Sequence, residues 1–165
     1  MLPLFQPKAP EHCRLSLTLT SPVSGHNQAS VDLDNALINS GCLGHGCAIT
    51  PTCDYLQAPF DGQVLALSNG HEQLRLKSQQ GLELILHLGL YSHSWHRCGF
   101  SPLLKPGERF SQGQRLMEFN LRQLKTQAEW PYCLLLCPQW RKLQAITVHP
   151  GQVFAGQDPC MTLYL

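Results

Sequence analysis

Charged side chains are scarce in this 165-residue chain. They make up 14% of the residues, and the formal net charge is only +1; an average soluble domain has roughly 25% charged residues. Lys and Arg are scattered, which excludes the clustered basic face that binding to nucleic acid requires. A surface with so little charge is instead typical of a module that docks on other proteins.

Long apolar runs and targeting signals are also missing. No stretch of about 18 apolar residues occurs, so we expect no membrane-spanning helix. The N-terminal sequence MLPLFQPKAPEHC lacks the basic start and the apolar core of a secretion signal. We therefore expect a cytoplasmic protein.

The eight cysteines include no CxxC pair, and the closest spacings are Cys133 to Cys137 and Cys42 to Cys47. A zinc site usually has two tightly spaced pairs, so the spacing argues against a structural metal. In a cytoplasmic chain we expect most of these cysteines to be small buried apolar residues.

Glycine and proline interrupt the chain at short intervals, and no long amphipathic helical pattern fits between them. Thirteen glycines and twelve prolines separate short apolar stretches, a spacing that predicts an all-β sandwich or barrel. Two short helices are predicted, at Asn35–Asn39 and at Leu121–Ala128, the second after the cap residue Asn120. Residues 1–16 are predicted to form a flexible N-terminal tail, and one domain covers 17–165.

The segment 71–90, HEQLRLKSQQGLELILHLGL, has the strongest pattern in the chain. Every even position from Leu82 to Leu90 is leucine, the period of a strand with one buried face. The odd positions, including His87, therefore share the opposite face. In the preceding strand, Leu74 and Leu76 are predicted to point inward.

These two strands are predicted to form a hairpin. A three-residue loop that pairs Lys77 with Gly81 keeps the leucines on one face and places His71 directly opposite His87. A five-residue loop leaves the two histidines diagonal on the same face. A slip by a single residue would expose the leucines.

Two histidines on one sheet face can carry out phosphoryl transfer. One ring attacks phosphorus through an unprotonated nitrogen, while the other donates hydrogen bonds to the phosphoryl oxygens. A rigid sheet supplies the positioning that this reaction needs. From the residues alone, a structural role and a metal-binding role for the pair stay open.

A series of short motifs runs along the chain in a fixed order. They are Ser21-Pro-Val-Ser-Gly25, Gly44-His-Gly-Cys-Ala-Ile49, Pro51-Thr52, Ala58-Pro-Phe-Asp-Gly62, His71, Gly81-Leu-Glu-Leu-Ile-Leu-His-Leu-Gly89, Pro106-Gly107, Gly113, Glu118-Phe119 and Gly156 to Pro159. With these motifs the chain resembles the glucose-type IIA domain of the bacterial phosphoenolpyruvate:sugar phosphotransferase system, over almost all of residues 21–165. Each motif is weak alone, but the ordered set is specific.

The resemblance implies an antiparallel β-sandwich that carries a phosphoryl group. His87, in the His-x-Gly segment, would accept phosphate from the histidine phosphocarrier protein and pass it to a sugar-specific IIB domain of a IIB/IIC permease. His71 would be its catalytic neighbour, oriented by Asn69. No cofactor is required, although a zinc ion held by both histidines and a partner's carboxylate would fit a partner complex. Regulated metabolic enzymes or transporters are further expected partners.

The resemblance also implies an apolar docking ring around the histidines. The residues in the matching stretches are Leu37, Ile38, Leu43, Leu67 and Ile85, with Gly89 and Tyr91 beside the phosphoacceptor. Leu74 falls in these stretches as well, although the strand period points it inward.

Two departures from the family pattern motivate alternatives. Tyr91 stands where the family usually has an acidic residue, and His45 replaces the aspartate of a Gly-Asp-Gly segment. A degenerate regulatory paralogue, which binds partners without efficient phosphotransfer, is the first alternative. A metal hydrolase is the second: a zinc peptidase family of related architecture uses His-x-x-x-Asp and a later His-x-His, and neither occurs here. His93, His96 and Cys98 form the remaining candidate metal cluster.

Overall fold

The computed structural model describes residues 3–90 and 99–165. Within these ranges the chain forms fourteen β-strands and two short α-helices. This confirms the all-β fold class and the low helix content predicted from the sequence. Over the same ranges, no helix is long and apolar enough to cross a membrane.

The strands in chain order are β1 (Ser16–Thr20), β2 (Gly25–Ala29), β3 (His45–Pro51), β4 (Tyr55–Gln57), β5 (Gly62–Leu67), β6 (Gln73–Ser78), β7 (Glu83–Leu90), β8 (Phe100–Pro102), β9 (Arg109–Phe110), β10 (Arg115–Phe119), β11 (Trp130–Cys137), β12 (Ala145–Val148), β13 (Gly151–Val153) and β14 (Pro159–Tyr164). The helices are α1 (Ala36–Asn39) and α2 (Leu121–Gln127).

The strands pair antiparallel in three sheets. The large sheet has eight strands in the order β13-β2-β3-β11-β7-β6-β5-β9. The two small sheets have three strands each, in the orders β1-β14-β12 and β4-β10-β8. One face of the large sheet packs against the small sheets, and this arrangement is the sandwich.

The main core lies between these layers. From the large sheet it receives Leu76, Leu84 and Leu86, and from the small sheets Leu19 and Met117, all at most 1% exposed. The alternation of strand side chains explains this, because every second residue of β6 and β7 points to the same face. Each fully buried leucine contributes about 1.5–3 kcal/mol to folding. The inward orientation predicted for the leucines of β6 and β7 is confirmed along most of both strands.

A smaller apolar cluster, the second cluster, covers part of the opposite face of the large sheet. Its buried members are Leu33, Ile38, Ala48, Leu90, Leu134 and Leu136. Helix α1 contributes Ile38, and the helix begins where the side-chain oxygen of Asn35 accepts the N–H of Ile38 over 3.1 Å. The predicted short helices are both present, and Asn120 caps α2 through the N–H of Gln123 at 3.0 Å.

The leucine row of β7 changes faces at its last position. Leu88 belongs to the main core, whereas Leu90 belongs to the second cluster. Gly89 between them has φ +72°, and the pairing of β7 with β11 shifts register at this point. The prediction that the inward face continues through Leu90 is therefore wrong. A left-handed glycine breaks the alternation, which the leucine period alone could not reveal.

Residues 4–6 of the segment predicted as a tail are attached to the sandwich. Phe5 forms an isolated parallel bridge with Ile146 of β12. The N–H of Gln6 donates to the carbonyl of Ile146 over 2.9 Å, and the N–H of Ile146 donates to the carbonyl of Leu4 over 2.8 Å. The side chains of Leu4 and Phe5 pack against the main core.

The described cysteines are all free thiols. Cys47, Cys133, Cys137 and Cys160 are buried among apolar residues. Burial raises the pKa of the Cys137 thiol to about 11. These four cysteines therefore act as small core residues, as expected from their spacing. Cys98 lies outside the described residues.

Candidate functional site

His87 lies on the large-sheet face that points away from the main core. Its cross-strand neighbours are Gln73 on β6 and Leu134 on β11. Leu134 is 1% exposed and belongs to the second cluster. The ring is therefore half-buried between an apolar neighbour on one side and an amide on the other.

The amide of Gln73 contacts the His87 ring and favours one of its two neutral tautomers. The ring Nδ1 lies 3.1 Å from the side-chain oxygen of Gln73. An amide oxygen only accepts hydrogen bonds, so Nδ1 carries the proton in this contact. In the neutral ring the lone pair then resides on Nε2, which is the form needed for nucleophilic attack.

The surroundings of His87 act on its pKa in opposite directions. Burial lowers the pKa from its ordinary value and is the largest effect. The nearby carboxylate of Glu72 and a hydrogen bond with the backbone of Gly89 both raise it. The net direction is downward, which favours the neutral ring near pH 7.

The hairpin register that presents His87 differs from the first prediction. Lys77 pairs with Glu83 rather than with Gly81. Ser78 donates its N–H to the carbonyl of Leu82 over 2.9 Å, and Gly81 takes a left-handed conformation with φ +89° inside the loop. Glycine adopts this left-handed conformation readily, so Gly81 forms part of the loop and does not pair with Lys77. The three-residue loop with a Lys77–Gly81 pair is wrong, and the five-residue alternative is confirmed.

This register moves the two histidines apart by one step of the ladder. Gln73, not His71, lies directly opposite His87. The carbonyl of Glu72 accepts the N–H of Leu88 over 2.8 Å, which continues the ladder one residue further. His71 comes next along the chain, at the same end of the hairpin as His87 but outside the strand.

A tight turn between β5 and β6 holds His71. The N–H of His71 donates to the carbonyl of Ser68 over 3.0 Å, and the N–H of Ser68 donates to the carbonyl of Gln73 over 3.0 Å. His71 has φ +66°, a left-handed conformation that few residues other than glycine and asparagine adopt. Asn69 lies in the same turn, and its role in orienting His71 stays a prediction. Strained conformations of this kind cluster at functional sites.

Two polar atoms at this end of the hairpin lack partners in the described part of the chain. They are Nδ1 of His71 and Oε2 of Glu72, and both are buried. An unsatisfied buried polar group costs about 1–3 kcal/mol. The two atoms therefore give this end of the hairpin an unused capacity for hydrogen bonding. The sequence pattern did not single out Glu72 or Gln73, because both roles depend on the loop register.

The predicted docking residues differ in their exposure. Leu37 on α1 is 40% exposed, whereas Ile38 beside it is fully buried in the second cluster. Leu43 is half-buried and packs against the same cluster, and Leu67 is half-buried against the main core. Ile85 is half-buried on the His87 face, and Gly89 is buried.

Three further groups named from the sequence lie elsewhere. Leu74 is 1% exposed in the main core, which resolves its assignment in favour of the inward position. His45 is buried against the rings of Trp140 and Phe5, at centroid distances of 4.7 Å and 5.8 Å. Burial lowers the pKa of His45, and Arg141 lowers it further. The remaining candidates, Tyr91, His93, His96 and Cys98, lie outside the described residues.

The titration of His87 can be measured directly. We expect its pKa in the folded protein to lie below the ordinary value of 6.5. Well above pH 6.5 the ring is neutral in both the folded and the unfolded state, and its contribution to the free energy of unfolding has its full value. As pH falls below 6.5 the unfolded chain takes up the proton first, so the folded state loses stability until the lowered pKa is passed. Following the ring C–H resonances by NMR against pH tests this.

Substitution of Glu72 should move this titration further. Glu72→Gln removes the charge that favours the imidazolium, so the pKa of His87 should fall again. Glu83→Gln is the matched control, because that carboxylate pairs with Arg75 at 2.7 Å and should leave His87 unchanged. A wild-type midpoint at or above 6.5, or equal effects of the two variants, would contradict the assignment.

Comparisons with known proteins agree on one family. Residues 17–142 match the family described as phosphoenolpyruvate-dependent sugar phosphotransferase system, EIIA 1. The glucose-specific EIIA component of Haemophilus influenzae is 22% identical over 153 residues, which cover 93% of this chain and 92% of the relative. The solved structure of glucose permease IIA from Mycoplasma capricolum has a TM-score of 0.79 at 19% identity, over 90% of this chain and 96% of that one.

A longer relative matches over nearly the same region. The N-acetylglucosamine-specific EIICBA component of Klebsiella pneumoniae is 26% identical over 158 residues. The match covers 95% of this chain but spans only 24% of the length of that relative. The match over 17–142 identifies an EIIA component of the sugar phosphotransferase system, and the antiparallel sandwich is the fold of the solved IIA structure. The chain belongs to the EIIA 1 family and is a glucose-type EIIA domain.

Proposed function

We propose that this domain carries a phosphoryl group on Nε2 of His87. The group arrives from the phosphohistidine of the histidine phosphocarrier protein: a bond forms between phosphorus and Nε2 as the bond to the donor's ring nitrogen breaks. A second transfer then delivers the group to a sugar-specific IIB domain. The observation that carries the proposal is the 3.1 Å contact of Nδ1 with Gln73, which supports a free lone pair on Nε2.

His71 would act on the phosphoryl oxygens rather than on phosphorus. Its ring belongs to the turn at the end of the hairpin, and its buried Nδ1 has no partner within the described residues. A second imidazole at this end can donate a hydrogen bond to a developing negative charge. Phosphoryl transfer depends mainly on such positioning and charge stabilisation.

The proposed partners follow from the family and from the exposed surface. Relatives whose names join EIIA to EIIB and EIIC components support a IIB/IIC permease as the acceptor. We propose that transfer takes place in the cytoplasm, where a donor protein can reach both partners. Regulated metabolic enzymes or transporters are further candidate partners, and nucleic acid is not among them.

No cofactor enters this scheme. Over residues 3–90 and 99–165, no group of three or more His, Cys, Asp or Glu is arranged to hold a metal. His71 and His87 alone would offer a zinc ion two ligands, whereas zinc sites usually have three or four from protein. A partner's carboxylate would have to complete such a site, so zinc belongs only to a partner complex.

Phosphorylation with purified components tests the proposal. The protein is incubated with the general phosphotransferase enzymes and labelled phosphoenolpyruvate, and then with a IIB domain. Label that enters this chain and then leaves it supports the carrier function. If partners bind but no label enters, the chain is instead the regulatory paralogue.

The exposed leucine of α1 gives a test of docking. Leu37→Glu places a charge on a side chain that is 40% exposed, and Ile38 beside it anchors the helix, so the fold should persist. We expect phosphoryl uptake from the carrier to slow by about tenfold, because a charge replaces an apolar contact at the interface. Initial rates at limiting carrier concentration measure the effect.

Leu103→Glu is the matched control. Leu103 is 48% exposed and follows β8, in a small sheet on the other side of the main core. Its uptake rate should stay within twofold of wild type. Equal slowing by both variants would contradict a docking role for α1.

A further inference from the structure

A second concave site lies where β5, β6 and β9 meet. We call it the β9 cleft; its volume is about 470 Å³, within the range of small-molecule pockets. Arg109, Gln63 and Lys77 line it from three neighbouring strands. Gln63 pairs with Arg109 on one side and with Lys77 on the other. The register therefore puts two cationic side chains on either side of one amide, in a single row across the sheet.

Both cations of the row are available to a ligand. Lys77 and Arg109 are exposed, and neither takes part in the salt bridges found within the described residues. None of the described residues that line the cleft is a carboxylate. The two cations thus face an open space whose described lining carries no negative charge.

The carboxylates close to the row along the chain are held by other groups. Asp61 accepts the N–H of Gln112 over 2.7 Å, and Glu108 accepts the N–H of Lys105 over 3.1 Å. Glu83, which pairs with Lys77 across the ladder, is bound by Arg75 at 2.7 Å. Each of these carboxylates thus already has a partner, which leaves Lys77 and Arg109 without an ion pair among the described residues.

Most of the remaining lining is polar and can both donate and accept hydrogen bonds. Ser111 donates its N–H to the side-chain oxygen of Gln114 over 3.1 Å, which leaves the amide nitrogen of Gln114 as a donor. Gln63 and Gln79 add two more amides, and Phe110 provides a buried apolar wall. Amides and hydroxyls of this kind suit the hydroxyl groups of a small polar molecule.

We propose that the β9 cleft binds a small phosphomonoester with a hydroxyl-bearing body, such as a sugar phosphate. A phosphomonoester carries about −1.5 to −2 charges at neutral pH, which two cations match. The arginine can hold two phosphate oxygens at once, and the lysine acts as a point charge beside it. A simple monocarboxylate would leave one of the two cations uncompensated.

The β9 cleft is separate from the His87 site. Lys77 lies four residues along β6 from Gln73, the neighbour of His87, and four residues of strand span about 13 Å. His87 is not among the residues that line the cleft, so the unphosphorylated protein, which lacks the added negative charge on His87, is the right sample for a test.

Calorimetric titration with glucose 6-phosphate at low ionic strength tests the proposal. We expect a dissociation constant of about 1 mM or tighter, weaker binding of inorganic phosphate, and no measurable binding of glucose. In parallel NMR titrations, the amide shifts should concentrate at residues 62–63, 77–79 and 109–114. Shifts that concentrate around His87, or no binding at all, would overturn the proposal. Malate binding as tightly as glucose 6-phosphate would also overturn it, because the cleft would then accept any dianion.

Variants of the two cations make the test specific. Lys77→Gln combined with Arg109→Gln should weaken binding at least about tenfold, since each removes a charge-assisted contact. Arg122→Gln combined with Lys125→Gln removes the same net charge from the exposed side of α2 and should change binding less than twofold. If both double variants weaken binding equally, the effect comes from the overall charge of the protein, and the site is refuted. Thermal unfolding of each variant verifies its fold. The NMR map of the wild-type protein tests the site without either double variant.

Discussion

His87→Ala should take up no phosphoryl group from phosphoenolpyruvate through the general enzymes. The substitution removes Nε2, the proposed nucleophile, whose lone pair is free in the tautomer that donates from Nδ1 to Gln73. Removal of the nucleophile from a set of residues that act together lowers the rate by many orders of magnitude. The rate of uptake should therefore fall at least about 10³-fold. Labelling of the intact protein, followed by mass spectrometry of its peptides, measures both rate and position.

Two observations make this result specific. The wild-type label should be acid-labile and alkali-stable, as expected for a phosphoramidate rather than a phosphoester. His26→Ala is the matched control, because His26 is an exposed histidine on β2 of the same sheet. Its uptake should equal that of wild type. Label retained by His87→Ala, or mapped to another histidine in wild type, would sink the assignment.

His71→Gln should accept phosphate but pass it on poorly. Glutamine keeps a hydrogen-bond donor near the phosphoryl oxygens but cannot supply an ionisable proton. Loss of general acid–base assistance costs about 10²–10⁴-fold, so we expect transfer to the IIB domain to slow by at least 10²-fold while uptake changes little. Separate measurements of uptake and of transfer distinguish the two steps. Uptake that collapses as in His87→Ala would make His71 part of the activation of the nucleophile.

The left-handed backbone of His71 calls for two companion variants. At φ +66° a glutamine is strained by about 1–2 kcal/mol, as the histidine itself is. His71→Asn suits this conformation and still lacks the ionisable proton, so it should repeat the transfer defect of His71→Gln. His71→Gly should relieve the strain and leave the free energy of unfolding equal or higher, while transfer is lost. A transfer defect that tracks stability across the three variants would point to folding rather than chemistry.

The fold class was predictable because its signals are local. Short apolar stretches between glycine and proline predicted strands, and the row from Leu82 to Leu88 predicted which side of β7 is buried. Asn120 indicated α2 through its capping chemistry, whereas the cap role of Asn35 at α1 emerged only from the structure. Each of these signals depends on residues within a few positions of one another.

The geometry of the site was less predictable because it depends on glycine conformations. Gly81 occupies a left-handed loop position, and this choice of loop moved Gln73 into the place predicted for His71. Gly89 turned Leu90 to the other face in the same way. A glycine can serve as a paired residue or as a turn residue, and the sequence pattern does not distinguish these roles.

The docking ring shows a related limit. Leu37 and Ile38 are adjacent on α1, yet one is 40% exposed and the other is fully buried. A four-residue helix is too short for a hydrophobic period, so the sequence could not separate the residue that faces solvent from the one that anchors the helix.

The bridge between Phe5 and Ile146 has a consequence for self-association. Strand β12 is the outer strand of its sheet, and an open strand edge invites pairing with other chains. The backbone bonds of Leu4 and Gln6 occupy both the N–H and the carbonyl of Ile146, in the middle of that edge. The N-terminal segment thus blocks a template for aggregation, and within the described residues it does so with two hydrogen bonds to β12 and the packing of Leu4 and Phe5.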